Sequence, residues 1–209
     1  DADVHFTRGA LRKAVGRCEA ELLDHLTVLP EMRTHSFLEE VVLVAVGEQY
    51  MRTTRAADIG TPGSGAYAGV GAFNLVRRSA FDRTEGFAWL RMEVVDDVGL
   101  GLLMMRANAR AGFAIGTGEV ALHWYASLRE MAQGLEKNMF GLYARFDYGR
   151  LLVRTLLTWL VVLGPPVAVV HGALPGEWVL GVAAYACVAA YAVRIARVVR
   201  RPLLPILFL

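Results

Sequence analysis

Asp1-Ala2-Asp3 and Val94-Val95-Asp96-Asp97 bring together acids whose spacing suits them to chemistry. Two carboxylates one residue apart can hold a divalent cation against a diphosphate, because a hard cation wants oxygen ligands and takes only one or two carboxylates beside the phosphates. Of the adjacent pair, one acid can cap a helix by accepting backbone N–H bonds. The second exceeds that need: projecting into a cleft within hydrogen-bond reach of a hydroxyl, it could take that group's proton. An Asp-x-Asp pair normally ends a buried strand that has neighbours before it, so a chain opening on Asp1 reads as the later part of an enzyme.

A third group lies on a helix. Ser127-Leu128-Arg129-Glu130 is a capping box opening a helix to about Tyr143, with Leu128, Met131, Leu135 and Leu142 on its apolar face. Arg129, Gln133 and Lys137 recur every four residues along another face. Such a stripe is ordinarily a solvated face. On a helix leading into the apolar tail it is also placed to touch a diphosphate leaving group.

Other features carry less. The glycine-rich stretch from Ala56 to Gly71 lacks the Gly-Lys-Ser/Thr ending of a phosphate-cradling loop, which leaves a mobile loop over a cleft as its functional reading. Arg77-Arg78 read as a solvated strand end rather than a phosphate contact. Cys18 and Cys187 have no second cysteine at metal-ligand spacing and read as packing residues.

The elements that must position these groups alternate helix and strand. Thr7 is expected to cap a helix through about Leu22, followed by a buried strand Leu26-Thr27-Val28-Leu29 stopped by Pro30. Ser36-Phe37-Leu38-Glu39 opens a helix to about Tyr50 that is either a core helix or an interfacial helix guiding a lipid substrate. Ala72–Val76 and Glu119–Trp124 read as strands. Between them, Asp96 and Asp97 begin a helix carrying Leu100, Leu103, Met104 and Ala107, ended by Gly112.

Charge divides the chain. Residues 1–150 hold 17 Lys+Arg against 19 Asp+Glu, whereas 151–209 hold five Arg and one Glu, which leaves no nucleic-acid footprint. From Thr155 to Val193 the only formal charge is Glu177. That composition predicts a membrane-anchoring region at 151–209, with spans at about 152–172 and 178–195 and the possible start of a third at 203–209. Arg145, Arg150 and Arg154 before the first span, and Arg194, Arg197, Arg200 and Arg201 after the second, would hold both outer ends in the cytoplasm. The globular part would then face the cytosol from the inner membrane of a multi-pass protein.

The order Asp1-Ala2-Asp3, Gly71-Ala72-Phe73-Asn74-Leu75-Val76-Arg77-Arg78, Val95-Asp96-Asp97 and Trp124–Asn138 resembles the family-2 glycosyltransferases, specifically their membrane-attached, ceramide-glucosyltransferase-like and cellulose-synthase-like members. The resemblance covers residues 1–150 and implies an α/β fold. That fold is the C-terminal part of a GT-A (Rossmann-like) catalytic domain, followed by transmembrane helices. It implies that Asp1 and Asp3 contact the nucleotide-sugar donor, a UDP-sugar, and its Mg²⁺ or Mn²⁺. Asp97 would be the catalytic base with Asp96 supporting it, and Arg129, Gln133 and Lys137 would attend the diphosphate. Where the family has Gln/Arg-x-x-Arg-Trp, this chain has Lys137 for the arginine and Asn138 for the tryptophan; lysine lacks the arginine's planar fork. The implied activity is inverting transfer of a sugar to a lipid or lipid-linked acceptor. A polysaccharide synthase subunit, or a non-catalytic truncated membrane protein lacking the donor-binding half, are the alternatives.

Overall fold

The computed structural model describes residues 3–91, 93–138, 140–141, 144–171 and 176–199. The chain divides into two compact units, Asp1–His35 with Glu48–Asn138, and Ser36–Gly47 with Met139–Leu209.

The first unit is a small mixed α/β domain. Its strands are β1 (His5–Phe6), β2 (His25–Leu29), β3 (Glu31–Arg33), β4 (Asn74–Val76), β5 (Ala111–Ile115) and β6 (Val120–His123), and its helices are α1 (Ala10–Ala20), α3 (Arg78–Phe81), α4 (Phe87–Leu90), α5 (Asp96–Arg106) and α6 (Leu128–Asn138). Helix α2 (Phe37–Thr54) begins in the second unit and ends in the first. Two three-stranded sheets form, β4-β2-β5 and β1-β6-β3, each with one parallel and one antiparallel pairing. Pro30 separates β2 from β3 and marks where the chain leaves one sheet for the other. Proline has no N–H to offer a ladder, so the change costs no strand bond there.

The core explains the local choices. Ala10, Ala14 and Cys18 recur every four residues on α1 and pack with Leu23, Leu26, Val28, Phe73 and Val120. Burial raises the Cys18 thiol pKa, as expected of a packing residue. Thr7 does not cap α1, contrary to expectation: its N–H and hydroxyl both go to Glu119, and Gly9 stands at the cap position. Both serines cap their helices, Ser36 accepting the Glu39 N–H at 3.3 Å and Ser127 the Glu130 N–H at 3.2 Å. The helix expected to reach Gly112 stops at Arg106, because Gly112 is a buried residue of β5 paired with Leu26.

In the second unit, α7 (Tyr148–His171) and α8 (Glu177–Val199) pack against each other. These are the helices expected to be membrane spans, and that expectation is corrected. Among the described residues no helix is long and apolar enough to cross a membrane. Arg150, Arg154, Arg194 and Arg197 lie inside the helices rather than beyond their ends. Arg150 and Arg154 confine the uncharged part of α7 to residues 155–171, about 25 Å of helix against a hydrocarbon core of about 30 Å. Arg194 confines that of α8 to residues 178–193, where alanine, a weakly apolar residue, is frequent. The multi-pass inner-membrane placement and the topology drawn from the arginines fall with the spans, and so does the predicted fold class that included them. Residues 203–209, where a third span was expected to start, lie outside the described residues.

Candidate functional site

The candidate site is built outward from Asp97. Val95 is the residue before α5, and Asp96 and Asp97 are its first two residues. One Asp97 carboxylate oxygen accepts the Val98 N–H at 2.8 Å, and the other accepts the Gly71 N–H at 2.7 Å. The exposed Asp96 carboxylate accepts the Asp97 N–H at 3.1 Å. Burial raises the Asp97 pKa above the ordinary carboxylate value and the Asp96 charge adds to the rise, while the two accepted N–H bonds oppose it. The half-buried Asp97 side chain is therefore a stronger base than a solvated aspartate.

The glycine-rich stretch is held against the start of α5. A Cβ on Gly69 would strike the Asp97 carbonyl, and one on Gly101 would strike the Ala68 carbonyl, so only glycine permits this backbone approach. The Tyr50 hydroxyl, at the end of α2, donates to the Gly69 carbonyl at 3.0 Å and accepts the Gly69 N–H at 3.1 Å. Burial pushes the Tyr50 phenol well above its ordinary value, with the Asp97 charge contributing, so it stays neutral. The segment 68–71 is thus pinned from two elements, and the loop expected to be mobile is fixed at its Asp97 end.

Behind it lies a polar cluster. His25 and Thr27 are two residues apart on β2 and share a face; each is 1% exposed. The His25 Nε2 lies 3.1 Å from the Asn74 Oδ1 and 3.2 Å from the Thr27 hydroxyl, and that hydroxyl donates to the Ala68 carbonyl at 3.0 Å. The assignment that satisfies these atoms is a neutral imidazole with its proton on Nε2, donated to Asn74. Burial lowers the His25 pKa, opposed by the Asn74 bond. Between the ordinary imidazole value of 6.5 and the lower folded value, the unfolded chain binds more protons than the folded one. Stability from His25 is therefore complete above pH 6.5 and is lost as pH falls towards the folded value, with a slope of at most about 1.4 kcal/mol per pH unit. Urea midpoints at pH 7 and about 5.5 should show this loss in the wild type and less of it in His25→Gln; equal losses would remove His25 as the cause.

The remaining expected site residues are spread out. Asp1 lies outside the described residues. Asp3 is exposed in the turn before β1 and has no hydrogen bond or ion pair among the described residues, so nothing brings it to Asp97. Arg129 and Gln133 are exposed on α6, whose Met131 and Leu135 face inward, and Lys137 is on the same helix with its side chain outside the described residues. Among the described residues no group of three or more His, Cys, Asp or Glu could hold a metal ion. No protein-family model matches the chain, and no curated protein does either.

Tyr50, His25, Thr27 and Asn74 were not anticipated. The signals were faint but present: His25-x-Thr27 places two polar residues on one face of an otherwise apolar strand, and Gly99-x-Gly101 interrupts a helix that would be more stable with alanine.

Proposed function

We propose that the chain contributes the catalytic base of an inverting glycosyltransferase, moving a sugar from a nucleotide-sugar donor to a hydroxyl of a lipid or lipid-linked acceptor. The observation that carries the reading is Asp97: a half-buried carboxylate of raised pKa, fixed by the Gly71 and Val98 N–H groups at the start of a helix. Asp97 takes the acceptor hydroxyl's proton as that oxygen bonds to the anomeric carbon. The bond from that carbon to the diphosphate breaks, and the nucleoside diphosphate leaves with the electron pair. Attack from the side opposite the leaving group inverts the centre. Asp96 is a positioning residue, since its carboxylate holds the Asp97 N–H.

In this reading Mg²⁺ or Mn²⁺ would be held by the exposed Asp3 together with Asp1, which lies outside the described residues, and would supply positive charge to the diphosphate. The test is release of nucleoside diphosphate from a panel of UDP-sugars by the full chain, with soluble and lipid-linked hydroxyl acceptors. Transfer should require Mg²⁺ or Mn²⁺ and stop on chelation with EDTA. Neither release nor metal-dependent donor binding across the panel would overturn the proposal.

A further inference from the structure

Residues 68–71 belong to no helix or strand, so side chains must fix them. The Ala68 carbonyl, in a residue 1% exposed, accepts the Thr27 hydroxyl at 3.0 Å. Gly69 makes two bonds with one atom, the Tyr50 oxygen, which donates to its carbonyl and accepts its N–H. The Val70 carbonyl accepts the Phe73 N–H at 3.0 Å, which turns the chain into β4. Gly71 gives its N–H to the Asp97 carboxylate at 2.7 Å. One short segment is thus held from β2, from α2 and from α5.

The protons on these side chains are allotted. The Thr27 hydroxyl has one proton and lies 3.0 Å from two acceptors, the Ala68 carbonyl and the Asn74 Oδ1. His25 decides between them: its protonated Nε2 serves Asn74 at 3.1 Å and leaves the hydroxyl proton to Ala68. A phenolate at Tyr50 could accept from Gly69 but could not donate to it, and burial keeps that phenol protonated. Each anchor therefore has the proton its bond requires.

We infer that Thr27 and Tyr50 are positioning residues for Asp97: by fixing Ala68 and Gly69 they hold the Gly71 N–H on its carboxylate, and His25 directs the Thr27 proton to that task. The consequence is for the proton on Asp97. An accepted N–H favours the charged carboxylate and so works against burial. The ionisable groups on this side are Asp96, whose charge acts on Asp97 from the same helix, Glu93, which lies against Gly99, and the neutral Tyr50 from α2. Loosening either anchor releases the Gly71 N–H and lets burial push the carboxyl further up. The inference deepens the reading of Asp97 as a base and rests on it only for the effect on transfer, since the proton on Asp97 can be followed without substrate.

Carbon-13 NMR titration of the Asp97 carboxyl in the full chain, without metal or donor, tests it. In Thr27→Val and in Tyr50→Phe the carboxyl should titrate at higher pH than in the wild type. The Gly71 N–H should also exchange with solvent about tenfold faster, as the loss of one hydrogen bond allows. Thr27→Ser keeps the hydroxyl and should stay close to the wild type in both measurements. A residue that only stabilised the fold would lower the denaturation midpoint and leave the Asp97 titration where it was. That result in folded Thr27→Val and Tyr50→Phe overturns the inference, and so does a serine variant that titrates like the valine one. Should neither variant fold, exchange in the wild type decides: the Gly69 and Gly71 N–H groups should be protected together, unlike those of Gly60 and Gly63, where an added Cβ would meet open space. A Gly71 N–H as fast as these two would overturn the inference as well.

Discussion

Asp97→Asn is expected to lower sugar transfer by about a hundred- to ten-thousand-fold, the range that general-base catalysis ordinarily contributes. The amide keeps the shape of the carboxylate but cannot accept the acceptor's proton. Donor affinity should change little, because Asp97 is assigned to the acceptor. The fold should survive: asparagine can serve only one of the two N–H groups that the carboxylate accepts, a loss of about 1 kcal/mol, but it also removes a charge that burial penalises. The sign of that second term follows from the raised pKa. Below the unfolded carboxylate value Asp97 is neutral in both states and costs nothing; as pH rises through the folded value, ionisation in the folded state becomes the more expensive one and stability is lost. Wild-type activity should show the opposite limb, rising with pH as Asp97 ionises. Wild-type turnover in a folded Asp97→Asn protein would reduce Asp97 to a helix-terminal residue.

The second large effect is structural. Alanine in place of a glycine inside a helix ordinarily stabilises by about 1 kcal/mol. At Gly101 the added methyl would meet the carbonyl oxygen, carbon and nitrogen of Ala68, which are backbone atoms and cannot swing aside. Gly101→Ala should therefore destabilise, by about 1–3 kcal/mol as overpacking does. It should also cut transfer, since displacing residues 68–71 moves the Gly71 N–H off Asp97. Gly99→Ala is the control. Its methyl would meet the Leu90 Cδ2 at 3.1 Å and the Glu93 Cγ at 3.2 Å, side-chain rather than backbone atoms. Paired denaturation curves decide the matter: a more stable Gly101→Ala protein would show that the loop gives way and that the contact does not hold Asp97 in place.

Features with local causes were legible in the sequence. Pro30 ended β2 as expected, and the two serine boxes opened α2 and α6, because each signal and its partner lie within a few residues. Asp96 and Asp97 were legible as a helix start for the same reason, whereas the Gly71 N–H on Asp97 comes from a distant segment. What depended on distant partners was not: the Thr7 hydroxyl belongs to Glu119, and the strand Ala111–Ile115 has two alanines and a glycine and is defined by its pairing with β2. Tyr50 escaped notice because its meaning comes from Gly69. The helices α7 and α8 were found as helices but misread as membrane spans. An uncharged run of residues looks alike in either setting until the helix that carries it is delimited and its apolar length is set against the thickness of a bilayer.

The handover at Pro30 bears on how the chain is made. A ribosome releases residues 25–33 as one apolar-to-polar ribbon, and the two halves then wait for different partners. Leu26 and Thr27 can find Leu75 and Asn74 once the chain has reached Val76, but the parallel edge of β2 stays open until Ala111–Ile115 emerges, and β3 until Val120–His123. For the synthesis of several dozen residues, Leu26 and Val28 belong to a strand with a bare flank, the state in which nascent chains pair with the wrong neighbour. Expression conditions that slow translation or supply a holding chaperone should matter more for this protein than its modest size suggests.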